Sequence, residues 1–220
     1  VGDSVKASLS KLTNVLATVP NFDYRVEGSK LTGLALVQLP AENLLVVNAG
    51  NIERNNETIK ASIKANQEWI KRVMDSNGLE PAGPVRIITT DFGAEKYAFD
   101  VAQPVRKRSA PSPANASDDN QGDAATANAA PPAALPSEPL ENVKVEGTPV
   151  EYVRAEPRTA AKASYIGYMA ELDAVRNSLR AWAMTNGYEV ADRPYESWKG
   201  GVEQAFTAEG SFDVFWSIKQ

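Results

Sequence analysis

The chain has 220 residues, a net charge of −5, 43% hydrophobic and 23% charged residues, and neither cysteine nor histidine. That length holds one domain or two small ones, and the missing residue types exclude disulfides, thiolate or imidazole zinc sites and any Ser-His-Asp or Cys-His catalytic pair. The acidic balance, without a basic stripe, gives no electrostatic footprint for nucleic acid, and no apolar run approaches the ~20 residues that span a bilayer.

In chain order, Asp3–Val19 places Val5, Leu9, Leu12, Leu16 and Val19 at helical spacing, with Asp3 or Ser4 as N-cap and Pro20 just past the end. This helix reads either as docked on the domain C-terminal to it or as the closing helix of an upstream domain in the same polypeptide. Leu34–Gly50 is strand-like and interrupted at Pro40, since proline cannot donate to a central ladder. A helix over Asn56–Ser76 comes next, with Ile59, Ile63, Ile70 and Val73 on one stripe and Asn77-Gly78 as its stop. Gly83–Val105 reads as a hairpin broken at Phe92–Glu95. In its second strand Tyr97, Phe99 and Val101 share one face, while Asp100 stands among small residues on the other.

Arg106–Glu141 holds six of the fourteen prolines and no aromatic residue, and reads as a disordered Pro/Ala-rich linker that cannot bury enough apolar surface to offset its ordering entropy. Beyond it, Val150–Tyr165 is broken at Glu156-Pro157, much as Leu34–Gly50 is at Pro40. A second helix over Tyr168–Thr185 carries Tyr168, Leu172, Val175, Leu179 and Trp182 on its stripe and stops at Asn186-Gly187. Tyr188–Trp198 is an aromatic-bearing connection. The last strand, Ser211–Lys219, sets Phe212, Val214, Trp216 and Ile218 on one face and Asp213, Phe215 and Ser217 on the other.

The two halves repeat. A shift of 109 residues lays Ile59, Ile63, Ile70 and Val73 on Tyr168, Leu172, Leu179 and Trp182, and Asn77-Gly78 on Asn186-Gly187; a shift of 113 lays Asp100 on Asp213. Each half has too little cover for its own sheet. The fold class expected is therefore α+β, with duplicated strand-helix-strand-strand units forming one mostly antiparallel sheet, two helices on one face and a trough on the other. The divisions are an N-terminal helix and connector at 1–30, a first repeat at 31–105, the linker at 106–141 and a second repeat at 142–220.

Tyr165-Ile166-Gly167-Tyr168, Leu179–Trp182, Asn186-Gly187 and the closing Asp213–Ile218 run resemble the GyrI-like family, the effector-binding domain also found behind AraC- and MerR-type DNA-binding modules. Gly78-Leu79, Gly83-Pro84-Val85 and Asp100–Val105 match it in the first half. The N-terminal helix, with Val1–Ser4 and Leu9–Leu12, resembles the closing helix of START-like, polyketide-cyclase-type domains. The GyrI-like resemblance implies a bacterial module that binds a small hydrophobic or cationic molecule in the groove between its repeats. An acid on the last strand sits in that groove, at the position of Asp213, where the family more often has Glu. Some branches hydrolyse strained or electrophilic molecules; there Asp213 would act as base with Tyr165, Tyr195 or Trp198 as partner.

The ligand-binding candidates are Asp213 and Phe215 on the last strand, Asp100 as the symmetry mate, and Tyr165, Tyr195 and Trp198 as aromatic lining. No catalytic residue is assigned, and no cofactor or metal is implied. The expected partner is a small organic ligand, with no nucleic acid and no direct membrane contact in this segment. A hydrolase, or a bacterial envelope interaction module whose trough is filled by side chains, are the alternatives. Zero cysteine suits cytoplasm and periplasm alike.

Overall fold

The computed structural model describes residues 22–25, 29–109 and 136–219. The N-terminal helix expected over Asp3–Val19 lies outside the described residues, as does most of the linker. The long helix α1 (Asn56–Ser76) starts where the Asn55 side chain accepts a hydrogen bond from the Thr58 amide, and it buries Ile59, Ile63, Ile70 and Val73. Gly78, at φ +62°, turns the chain out of it. Its counterpart α2 (Leu172–Thr185) buries Leu172, Val175, Leu179 and Ala183, and comes after a single 3-10 turn at Met169–Glu171. Tyr168 therefore precedes the helix and is half-exposed instead of joining its stripe.

The strands are β1 (Leu31–Leu39), β2 (Glu42–Glu53), β3 (Leu79–Pro81), β4 (Arg86–Phe92), β5 (Lys96–Lys107), β6 (Val150–Ala155), β7 (Arg158–Ile166), β8 (Tyr195–Trp198) and β9 (Ser211–Ser217). A short helix, α3 (Gly201–Ala205), lies between β8 and β9. Their order is β1-β7-β9-β8-β4-β5-β2-β6, with β3 on β5 and every pairing antiparallel. Thus the α+β class and the mostly antiparallel sheet hold. The aromatic connection before Trp198 contains a strand, β8, whose four residues are too few to show a period.

The register reveals a pseudo-dyad. The shift of 109 that relates the helices also relates Ile87 to Glu196, and these two residues face each other where β4 meets β8. Asp100 pairs with Ile88 and Asn48, while Asp213 pairs with Ser197 and Ser164, so the two acids occupy equivalent ladder positions. Around the breaks, β1 pairs with β7 and β2 with β6 in one unslipped register from Ala35↔Lys162 to Val47↔Val150. Pro40 and Pro157 fall opposite one another in that register, at the bend of a single long ribbon. Leu39 lies on the terminal strand β1 and Glu42 on β2, next to the other end of the sheet order, yet they are three residues apart, at most about 11 Å. The sheet consequently curls until its ends nearly meet.

Candidate functional site

The two faces of the sheet separate by period two. Phe212 and Val214 of β9, Glu196 and Trp198 of β8, Ile87 of β4, and Tyr97, Phe99 and Val101 of β5 are buried on the helix side. Asp213 and Phe215, Tyr195, Arg86 and Ile88, and Asp100 alternate with them and face the trough. A cavity of about 440 Å³ lies there, lined by Leu44, Val46, Arg86, Ile88, Asp100 and Tyr195, with the Ala155–Arg158 bend closing one end. A larger space of about 700 Å³ runs beside Pro104 and the Pro136–Leu140 segment. It lies away from the dyad, and Ser137 and Asn43 tie that segment down through the Ala41 and Glu138 carbonyls, so it reads as a seam between backbone segments.

The acids of the trough are already met. Asp100 accepts hydrogen bonds from Asn48 Nδ2 at 2.7 Å and Arg193 Nη1 at 2.8 Å. Asp213 accepts from Ser164 Oγ at 2.7 Å and Lys199 Nζ at 2.9 Å, with Lys162 Nζ at 3.6 Å. Partial burial works to raise the Asp213 pKa, but the Ser164 and Lys199 hydrogen bonds and the two lysine charges outweigh it, leaving the carboxyl below its ordinary value. Arg86 is clamped by both carboxylate oxygens of Glu42 and lies 4.9 Å from the Tyr195 ring centroid. Tyr195 stacks on Phe215 at 5.0 Å with an interplanar angle of 18°, and its burial raises the phenol pKa. Among the described residues no group of three or more acids converges as metal ligands.

Of the six candidates, Asp100 and Tyr195 line the cavity, and Asp213 and Phe215 share its sheet face on β9, the strand whose Ser217 borders it. Tyr165 and Trp198 are elsewhere. Both pair with Phe212 across the ladder, which turns them to the helix side, where they are buried at 1% and 2% exposure. Tyr165 donates to Glu171, and Trp198 packs edge-on against Phe206 and Phe212. In the sequence, an indole before Gly200-Gly201 has no visible core duty only because α3, which supplies buried Val202 and Ala205, is too short to show periodicity. Sequence patterning does not single out Glu42, Arg86, Arg158 or Arg193. A charge at position 86, between Val85 and the Ile87-Ile88 pair, is the available signal.

No family model matches the chain, and no curated protein matches it. Among solved structures, it is similar to EcmrR in its complex with DNA, at 16% identity and a TM-score of 0.57 over 99% of this chain and 67% of that one. It is similar to the EcmrR C-terminal domain, at 16% identity and a TM-score of 0.55, covering 86% of this chain and 98% of that one. A protein from Listeria innocua described as a hydrolase matches at 12% identity and a TM-score of 0.52, over 95% and 98% of the two chains. At these identities the likeness is one of fold alone, shared with the EcmrR C-terminal domain and the Listeria innocua protein.

Proposed function

We propose that the chain is a binding module that holds a small, largely apolar organic molecule in the trough between its two repeats. The observation that carries this is the cavity itself: about 440 Å³ on the helix-free face, with an apolar floor of Leu44, Val46 and Ile88, the Tyr195 ring and charged groups arriving from both repeats. Ligand sites commonly have this size and mixture. The GyrI-like resemblance supports the reading, because it implies small-molecule binding at the same place. The open space favours it over an interaction module with a filled trough. Asp100, Asp213, Tyr195 and Phe215 are the site residues proposed. Turnover is not favoured, even though the Listeria innocua protein is described as a hydrolase: Asp213, the base candidate, is held by a serine and two lysines.

Isothermal titration of the full chain with 2-naphthylmethanol, a neutral two-ring probe, tests this. Saturable binding to the wild type, lost in Ile88→Trp, is the expected result. The reading is overturned if the filled variant binds as well as the wild type, or if the wild type does not bind.

A further inference from the structure

The pseudo-dyad provides an internal control for the charge of the trough. Glu42 lies six residues before Asn48, the partner of Asp100, and Arg158 lies six before Ser164, the partner of Asp213. The pairs Glu42↔Ala155 and Leu39↔Arg158 are equivalent across the bend in the same way. Positions 86 and 195 are related by the helix shift of 109. In the first repeat these two positions hold Glu42 and Arg86, closed as an ion pair. In the second they hold Arg158 and Tyr195. A guanidinium thus stands where the dyad places a carboxylate, and its neighbour is a ring instead of a countercharge, with 5.9 Å between the Arg158 guanidinium carbon and the Tyr195 centroid.

Arg158 donates to the Glu156 carbonyl at 3.2 Å, and among the described residues no carboxylate lies within ion-pair distance of it. The inward acids are the reverse case: Glu42, Asp100 and Asp213 each already hold a cation of this chain. Glu151, Glu156 and Asp192 also border the cavity, but they stand on its exposed rim, where water and salt screen them. An organic cation entering the trough must displace a lysine or arginine to reach an inward acid. An organic anion meets a half-buried guanidinium that holds no carboxylate.

Resting on the reading of the trough as the binding site, we propose that its ligand is an amphipathic organic anion, with a carboxylate on Arg158 and an apolar body on Leu44, Val46 and Ile88. The test is titration of the full chain with three matched probes: 2-naphthoate, 2-naphthylmethanol and 2-naphthylmethylammonium. Naphthoate should bind about tenfold tighter than the alcohol, as one charge-assisted contact implies, and the ammonium weakest. In Arg158→Gln the naphthoate-to-alcohol ratio should fall to about one. In Arg158→Glu, which restores the acid of the first repeat, the order should reverse in favour of the ammonium.

The proposal is overturned if the wild type prefers the ammonium, or if Arg158→Gln keeps the naphthoate advantage. Arg158→Gln, the smaller change, decides the matter if Arg158→Glu does not fold. If the alcohol binds, is lost in Ile88→Trp, and naphthoate gains nothing over it, the anion preference alone falls. If the wild type does not bind the alcohol, the trough reading falls, and the anion preference falls with it.

Discussion

Glu196 sits beside the pseudo-dyad on the helix side with no solvent exposure, and Arg176 of α2, 3% exposed, meets it with two hydrogen bonds. The same guanidinium reaches the Tyr97 hydroxyl at 3.3 Å, which is 2.8 Å from Thr89 Oγ1. Burial pushes the Tyr97 pKa up to about 12, so the phenol stays protonated. This network joins α2 and β8 of one repeat to β4 and β5 of the other. Removing one partner strands a buried charge: Glu196→Ala or Arg176→Ala should cost about 3–5 kcal/mol in urea denaturation. Arg176→Met with Glu196→Leu should recover most of that loss, and simple addition of the two single losses would show that the pair is not coupled. At Asp213 the sign is that of a depressed carboxyl. Its stabilisation is present above the unfolded value, ~3.9, and is lost as pH falls through the lower folded pKa. Asp213→Asn should therefore be less stable than wild type at pH 6, and the two should converge in urea midpoint as pH falls below about 4. A constant gap down to acid pH would show that the carboxylate charge is not what stabilises.

At the scale of elements, strong periods were readable and short or bent pieces were not. The helix Asn56–Ser76 matches its expected bounds, because a cap, a stripe and an Asn-Gly stop agree. The face assignments of Tyr97, Phe99 and Val101 against Asp100, and of Phe212 and Val214 against Asp213, come from alternation over long strands. β8 and α3 were illegible, with four and five residues, and so the side of the sheet taken by Trp198 was too. The start of α2 was set by a turn that hydropathy does not encode. Gly167 has φ +151°, its amide donates to the Gly210 carbonyl at 2.8 Å, and a Cβ there would lie 2.2 Å from the Tyr165 hydroxyl. The Tyr165 ring is buried and stacked on Phe212, so it cannot swing aside. Gly167→Ala should cost about 1–3 kcal/mol from the backbone alone, and more from the clash. The same substitution in a Tyr165→Leu background should cost measurably less in melting temperature; an equal cost would place the strain entirely in the backbone.

For the whole molecule, the duplication was legible as a repeated order of elements, but the way the halves interlock was not. Each half sends a strand across: β1 of the first pairs with β7 of the second, and β6 of the second pairs with β2 of the first. The sequence marks only the two proline breaks, and long-range partners leave no local trace in composition. With β4 on β8 as the third seam, and Lys60 and Lys64 of α1 bound to Glu203 of α3, neither half can satisfy its strand edges or cover its core alone. A protease site placed between residues 118 and 119 should therefore nick the chain without separating it. The two pieces should co-elute on gel filtration and melt in one transition whose midpoint falls on dilution, as a two-chain equilibrium requires. Each piece expressed by itself should lack a cooperative transition, and mixing the two should restore it. Separation of the nicked pieces into two independently folded units would refute the interlocked ribbon, and with it a trough that depends on both repeats.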